Sequence, residues 1–136
     1  MPTSNASLPP AEEQQTTVSI SALRGGSLTL PERNFVTNAD PDKRSTVPSL
    51  CFLIRHQSKD GKSTNLVFDL GLKKDLSGYA PAQQNHIKQR QPVGVEPDVA
   101  DSLRHGGLDP QEIDTVMVSH VHWDHVVSCC ALRTFW

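Results

Sequence analysis

The run Thr115-Val-Met-Val-Ser-His-Val-His-Trp-Asp-His125 constrains this chain more than any other stretch. Val116, Val118, His120 and His122 recur at period two, so on an extended strand they share one face. The valines can enter a core while the two imidazoles emerge at the strand's C-terminal end, roughly 6.6 Å apart along it. If the chain curls there, both rings reach one ion at about 2.0–2.1 Å. Asp124 and His125 follow where the strand is expected to turn into a helix headed by Val126 and Val127. They are placed for a second ion or for the far side of the same one. Imidazole with carboxylate suits zinc, with manganese or iron as alternatives, and disfavours calcium.

Upstream, Thr17–Leu23 alternates, with Val18 and Ile20 on one side. Arg24-Gly-Gly-Ser27 reads as a turn, with Leu28-Thr-Leu30 pairing back as a hairpin. Residues 31–48 read as a long loop. Leu50–Arg55 is a short apolar run suited to a strand covered on both faces. Ser58–Lys62 is a turn, and Asn65–Leu70 returns as a strand closed by Gly71. Residues 73–95 show no regular element. Glu96–His105 reads as a helix with Pro97 in its first turn and Gly106-Gly107 as its stop. The last strand is expected over 115–122. Strands followed by a helix and another strand predict an α+β fold, a mixed β-sheet with few helices on one face.

A chain of 136 residues has room for one domain. Net charge −2 and a pI near 6.3 offer no basic field for nucleic acid. No apolar run approaches the ~20 residues that span a bilayer. Residues 1–15 are polar, lack the apolar region of a secretory signal and read as a disordered tail, so the Asn5-Ala-Ser7 acceptor pattern is put down to chance. Three cysteines in no framework spacing fit a reducing, cytoplasmic setting. Hydrophobic content of 36% implies a thin core.

The H-x-H-x-D-H pattern at His120, His122, Asp124 and His125 resembles the first metal motif of the metallo-β-lactamase-fold hydrolases. Leu66-Val-Phe-Asp-Leu-Gly71 resembles their early strand ending in an aspartate and a glycine turn, and Gly107–His120 resembles the approach to the metal strand. With Trp123 inside the motif, the chain looks most like the lactonase-like branch that includes acyl-homoserine-lactone lactonases. The resemblance implies the N-terminal half of an αββα sandwich, a partial domain over 16–128 with an atypical end at 129–136. It implies His120 and His122 on a first metal, Asp124 and His125 on a second, and Asp69 supporting the site from beneath. Intact relatives carry two Zn2+ per site; here the site would be partial. The implied reaction is lactone, ester or amide hydrolysis of a small molecule by metal-bound hydroxide, with Asp124 holding that hydroxide and shuttling a proton.

Past His125 the sequence holds no His, Asp or Glu, and a valine stands at 127 where relatives usually have glycine. Four ligands for two metals leave each short of the three that a catalytic zinc takes. The expectation is therefore a C-terminally truncated, impaired hydrolase. Three alternatives stand beside it: a non-catalytic metal-binding fragment, an iron-dependent thiol oxidation, and a metal-free interaction module. By itself Asp69 also reads as an ordinary strand-terminal carboxylate capping the Gly71 turn. His56, His86 and His105 read as surface residues, Cys129 and Cys130 as an incidental pair, Asp109 and Asp114 as turn residues. Trp123 reads as a packing residue turned away from the two histidines. A sheet face carrying Phe52, Ile54, Phe68, Val116 and Val118 is expected to lack a partner and to promote self-association.

Overall fold

The alternation that begins before Ser19 does not stop at the glycine pair. In the computed structural model, which describes Pro10, Glu12 and residues 15–126, β1 runs unbroken over Ser19–Pro31. It pairs antiparallel with β2 (Arg44–Gln57), and the register shifts between Arg24 and Ser27. Gly25-Gly26 is thus a bulge, not a hairpin turn. A glycine at φ +92 (Gly26) absorbs an extra residue within a ladder as readily as it closes a loop. Leu28, Thr29 and Leu30 continue the same strand opposite Val47, Thr46 and Ser45. The loop expected over 31–48 shrinks accordingly to a 3-10 turn at Glu32–Asn34 and the residues up to Asp42 and Lys43. Pro48 is accommodated because it lies opposite Ser27, at the shift, where the ladder is already interrupted.

β2 turns back through Ser58–Lys62 into β3 (Ser63–Phe68), antiparallel. β4 (Thr115–Met117) joins β3 in parallel, with Val67 beside Val116 and Phe68 beside Met117. The sheet order is β1-β2-β3-β4. The strand expected to reach His122 stops at Met117, because Ser119 directs both its amide and its hydroxyl to Asp69 instead of to a neighbouring strand.

One sheet face carries Cys51, Leu53 and Val67, with Leu23 and Val116 at its edge, and packs on Val99, Leu103, Leu108 and Ile113. Val99 and Leu103 come from α2 (Val99–His105), whose cap is the Asp98 carboxylate accepting from the Asp101 amide. Pro97 precedes that cap and lies outside the helix. A second cluster joins Leu28, Leu72 and Val95, with Leu30, Val47 and Trp123 against it. Residues 73–95, where no element was expected, hold α1 (Pro81–Lys88). Its only buried residue is Ile87, so it writes no apolar stripe into the sequence.

The opposite face aligns Ile20, Ile54 and Leu66, then Ala22, Phe52, Phe68 and Met117. Ile20 and Met117 are 63% and 50% exposed, and Phe52, Ile54, Leu66 and Phe68 are half-buried. Val116 is not on this face: it pairs with Val67 and packs into the helix-side core. Val118 lies beyond β4. Among the described residues no helix is long and apolar enough to cross a membrane.

Candidate metal centre

The site is built on Asp69, just past the end of β3. Its backbone sits at φ +59, a left-handed conformation that aspartate tolerates better than most residues. Two residues on, Gly71 at φ +67 lets the chain pass against the β1 bulge; a Cβ there would fall on the backbone of Gly25. Main-chain bonds then clip the motif loop to this turn at both ends. The Asp69 amide donates to the Met117 carbonyl at 2.9 Å, and the Leu70 amide donates to the His125 carbonyl at 2.8 Å.

The Asp69 side chain is 2% exposed and fully engaged. Its Oδ1 accepts from the Ser119 amide at 2.7 Å, and its Oδ2 accepts from the Ser119 hydroxyl at 2.7 Å. Oδ2 also lies 2.8 Å from His125 Nδ1. Burial pushes the Asp69 carboxyl up, but the Ser119 amide and hydroxyl and the His125 ring outweigh it and hold the pKa below the usual carboxylate value. An ionised carboxylate only accepts, so His125 Nδ1 carries a proton, and in the neutral ring Nε2 keeps its lone pair, beside the Asp124 carboxylate. The same logic settles His120. The one proton of Ser119 Oγ goes to Asp69, so at 3.0 Å the oxygen accepts from His120 Nδ1, and His120 Nε2 likewise keeps its lone pair.

The His120 ring centroid lies 4.4 Å from that of His122 and 4.1 Å from that of His125. Asp124 Oδ2 is 3.5 Å from His125 Nε2. His120 and His122 are exposed, and Asp124 and His125 are half-buried. Imidazoles with Nε2 unprotonated and Nδ1 held by an oxygen are the donor form that ligating histidines take. The residues therefore fit a metal in kind and tautomer. Among the described residues, however, no three His, Cys, Asp or Glu side chains are gathered as a group able to hold an ion. The two histidines do not project from a strand face as expected; they sit in a loop, brought near His125 by the Asp69–Ser119 anchor. Cys129 and Cys130 lie outside the described residues, as does Val127.

Several contributors carry no sequence signal. Ser49 donates its hydroxyl to the Asp124 carbonyl at 2.5 Å. The hydroxyl of Tyr79 donates to the Trp123 carbonyl at 3.0 Å and accepts from the Lys73 amide at 2.9 Å. Trp123 packs edge-on against Tyr79, centroids 5.7 Å apart, and against His86, 6.2 Å apart. Trp123 is therefore a packing residue as read, while His86, read as a bare surface residue, is half-buried beside it. Sequence spacing gives no hint of Ser49 or Tyr79, because their partners are main-chain carbonyls. The site opens into a groove of about 690 Å³ whose walls include Leu30, Phe35, Val47 and residues of α1.

No protein-family model matches the chain. Two curated proteins are similar to it. A gamma-lactamase, FDB1 of Fusarium pseudograminearum (strain CS3096), is 38% identical over 80 residues, which is 57% of this chain and 19% of that protein. The metallo-hydrolase mfmC of Annulohypoxylon moriforme is 35% identical over 83 residues, 58% of this chain and 21% of that protein. The chain thus spans about a fifth of the length of these relatives. Among solved structures, a quorum-quenching N-acyl homoserine lactone lactonase matches with a TM-score of 0.58 at 16% identity, over 84% of this chain and 41% of its own. A variant of B. thuringiensis AiiA with N-decanoyl-L-homoserine at its active site matches with a TM-score of 0.59 at 18% identity, over 82% and 44%. The four-stranded mixed sheet and its helices are part of the metallo-β-lactamase fold of these lactonases.

Proposed function

We propose that this chain carries part of the active site of a metal-dependent hydrolase that opens a small-molecule lactone, ester or amide. The supporting observation is the Asp69–Ser119 anchor, which engages Nδ1 of both His120 and His125 with an oxygen and leaves Nε2 of each as the donor nitrogen. His120 and His122 would hold one ion and Asp124 and His125 a second, zinc being the ion that best suits these donors. Such ions supply Lewis acidity and acidify a bound water. The chain's own residues do the rest. Asp69 keeps His125 oriented and its donor nitrogen basic. Ser49 holds the main chain of Asp124, and the Asp124 carboxylate would take a proton from the attacking water and pass it to the leaving group. The names of the related gamma-lactamase and metallo-hydrolase, and of the lactonases that share the fold, support a cyclic amide or ester as the substrate class.

A complete ligand set needs donors beyond these four, and the lack of a three-donor group among the described residues favours a second reading: a segment that binds metal without turning substrate over. Zinc titration combined with a lactone and lactam panel separates the two. Metal uptake that falls in His120→Ala and His122→Ala, with turnover lost in Asp124→Asn, supports the hydrolase. Metal uptake with no turnover supports the second reading. A zinc titration unchanged in the His120→Ala, His122→Ala double variant sinks both.

A further inference from the structure

We propose that the groove beside the histidines binds an apolar small molecule bearing a carboxylate, and that Arg90, just past the end of α1, recognises that carboxylate. The substrate class so defined refines the hydrolase reading above and rests on it only for what happens at the histidines. Binding in the groove stands on its own.

Four observations carry the inference. First, the groove's volume, about 690 Å³, is that of a small-molecule site, and His122, Asp124 and His125 are among the residues that line it. Second, its body is apolar. Leu28, Leu30 and Val47 belong to the core cluster beneath it, while Phe35 and Leu50 remain 65% and 58% exposed along it. Third, polar side chains from α1 and from just beyond it line this groove: Gln83 and His86 on the helix, and Arg90 two residues past its end. The Gln83 amide nitrogen is buried there without a partner among the described residues.

Fourth, Arg90 has its backbone fixed and its charge uncommitted. Its amide donates to the Ile87 carbonyl at 2.9 Å, and its carbonyl accepts from the Thr29 amide at 2.9 Å. Arginine only donates, so its Nε gives a hydrogen bond to His86 Nε2 at 3.4 Å. No carboxylate pairs with it among the described residues; the ion pairs of lysine and arginine formed there involve Lys43, Lys74 and Arg104. Asp124 is the only acid among the groove's lining residues, and it lies in the histidine motif. Arg90 is a half-buried residue on an apolar groove, and its outer nitrogens have no bond among the described residues; such a guanidinium suits a planar acceptor, and a carboxylate meets it with two parallel bonds. His86 lies between Arg90 and Trp123, so the recognising group leans on the motif loop itself.

The test uses the full chain in EDTA, which separates groove binding from any metal chemistry. The probes are 4-phenylbutanoate and its neutral isostere 4-phenylbutanamide, titrated by NMR. In the unaltered chain the acid should bind roughly tenfold tighter than the amide, the margin of one charge-assisted hydrogen-bond pair. Arg90→Gln should erase that preference while leaving the amide's affinity unchanged. Arg90→Lys, which keeps the charge but not the fork, should restore part of it. Phe35→Ala should weaken both probes alike. Equal binding of acid and amide by the unaltered chain, a preference that survives Arg90→Gln, or no saturable binding of either probe overturns the proposal. An acid preference that depends on Arg90, in a chain that takes up no zinc and turns over no lactone, supports the groove and refutes the hydrolase.

Discussion

His125 Nδ1 lies 2.8 Å from the Asp69 carboxylate across 56 residues of sequence. That contact ties the end of one strand to the far end of the motif loop, and Ser119 completes it from the middle of the loop. The arrangement makes one buried carboxylate responsible for the orientation of two imidazoles.

Replacing that carboxylate should therefore cost far more than one hydrogen bond. Asp69→Ala leaves the Ser119 amide and the His125 ring without their acceptor and places an alanine at positive φ, for an expected loss of about 3–5 kcal/mol. Asp69→Asn tolerates the same backbone and keeps one acceptor, for an expected loss of about 1–3 kcal/mol. Urea unfolding of the two variants gives the ranking; equal stability of Asp69→Ala and the parent would show that the loop is held by other means.

Two glycines at positive φ should behave differently. Gly71→Ala meets the Gly25 backbone as well as a strained φ of +67, and about 3 kcal/mol or more should be lost. Gly61→Ala, at φ +84, has open space around its added methyl, so only the backbone penalty of about 1–2 kcal/mol should appear. Thermal melts of the pair read the difference directly, and comparable losses would refute the close packing of the two turns.

Lys74 bridges Glu96 and Asp101, each at 3.0 Å. Glu96 and then Asp101 push its pKa up to about 12, and Lys74 in turn holds the Asp101 carboxyl below its usual value. A raised lysine contributes fully below its unfolded value near ~10.4 and fades as pH rises through about 12. A lowered carboxylate contributes above ~3.9 and fades as pH falls through its folded value. The Tm deficit of Lys74→Met should thus be greatest between those limits and shrink in about 0.5 M salt. A deficit independent of both pH and salt would mean that Lys74 acts through its methylene stem.

The open sheet face should drive self-association. Ile20 and Met117 are exposed on it beside half-buried Phe52, Ile54 and Phe68, a contiguous apolar surface of the kind that seeks a partner. Sedimentation velocity should show a mass that grows with concentration, and Ile20→Lys with Met117→Lys should suppress it. A parent chain that stays monomeric at about 1 mM refutes the expectation.

How much of this could be read from sequence follows from what each element writes there. The strands around Leu53 and Val67 were legible as short apolar runs bounded by turn residues, and helix α2 by the acidic residues at its start and the Gly106-Gly107 stop. The continuation of β1 was not, because Gly25-Gly26 is the same text in a hairpin turn and in a bulge, and only the partner strand decides. α1 was invisible because it buries Ile87 alone, and with it the groove wall at His86 and Arg90 was missed. At the site, the clustering of His120, His122, Asp124 and His125 was legible from their spacing. Their support by Ser119 was not, because a serine beside a histidine is uninformative until Asp69 is folded beneath it.

Four of the bonds that route the motif loop end on main-chain carbonyls: those of Met117, Trp123, Asp124 and His125 are taken by the Asp69 amide, the Tyr79 hydroxyl, the Ser49 hydroxyl and the Leu70 amide. Any amino acid supplies a carbonyl. At Met117, Trp123 and Asp124 the loop is in that sense a bracket whose path is independent of what hangs from it, whereas Ser119 and His125 are bolted to Asp69 through their side chains; His122, whose side chain enters none of these bonds, is an exchangeable fitting. Position 122 can then exchange its imidazole for another side chain, a carboxylate included, without the chain having to find a new way to fold.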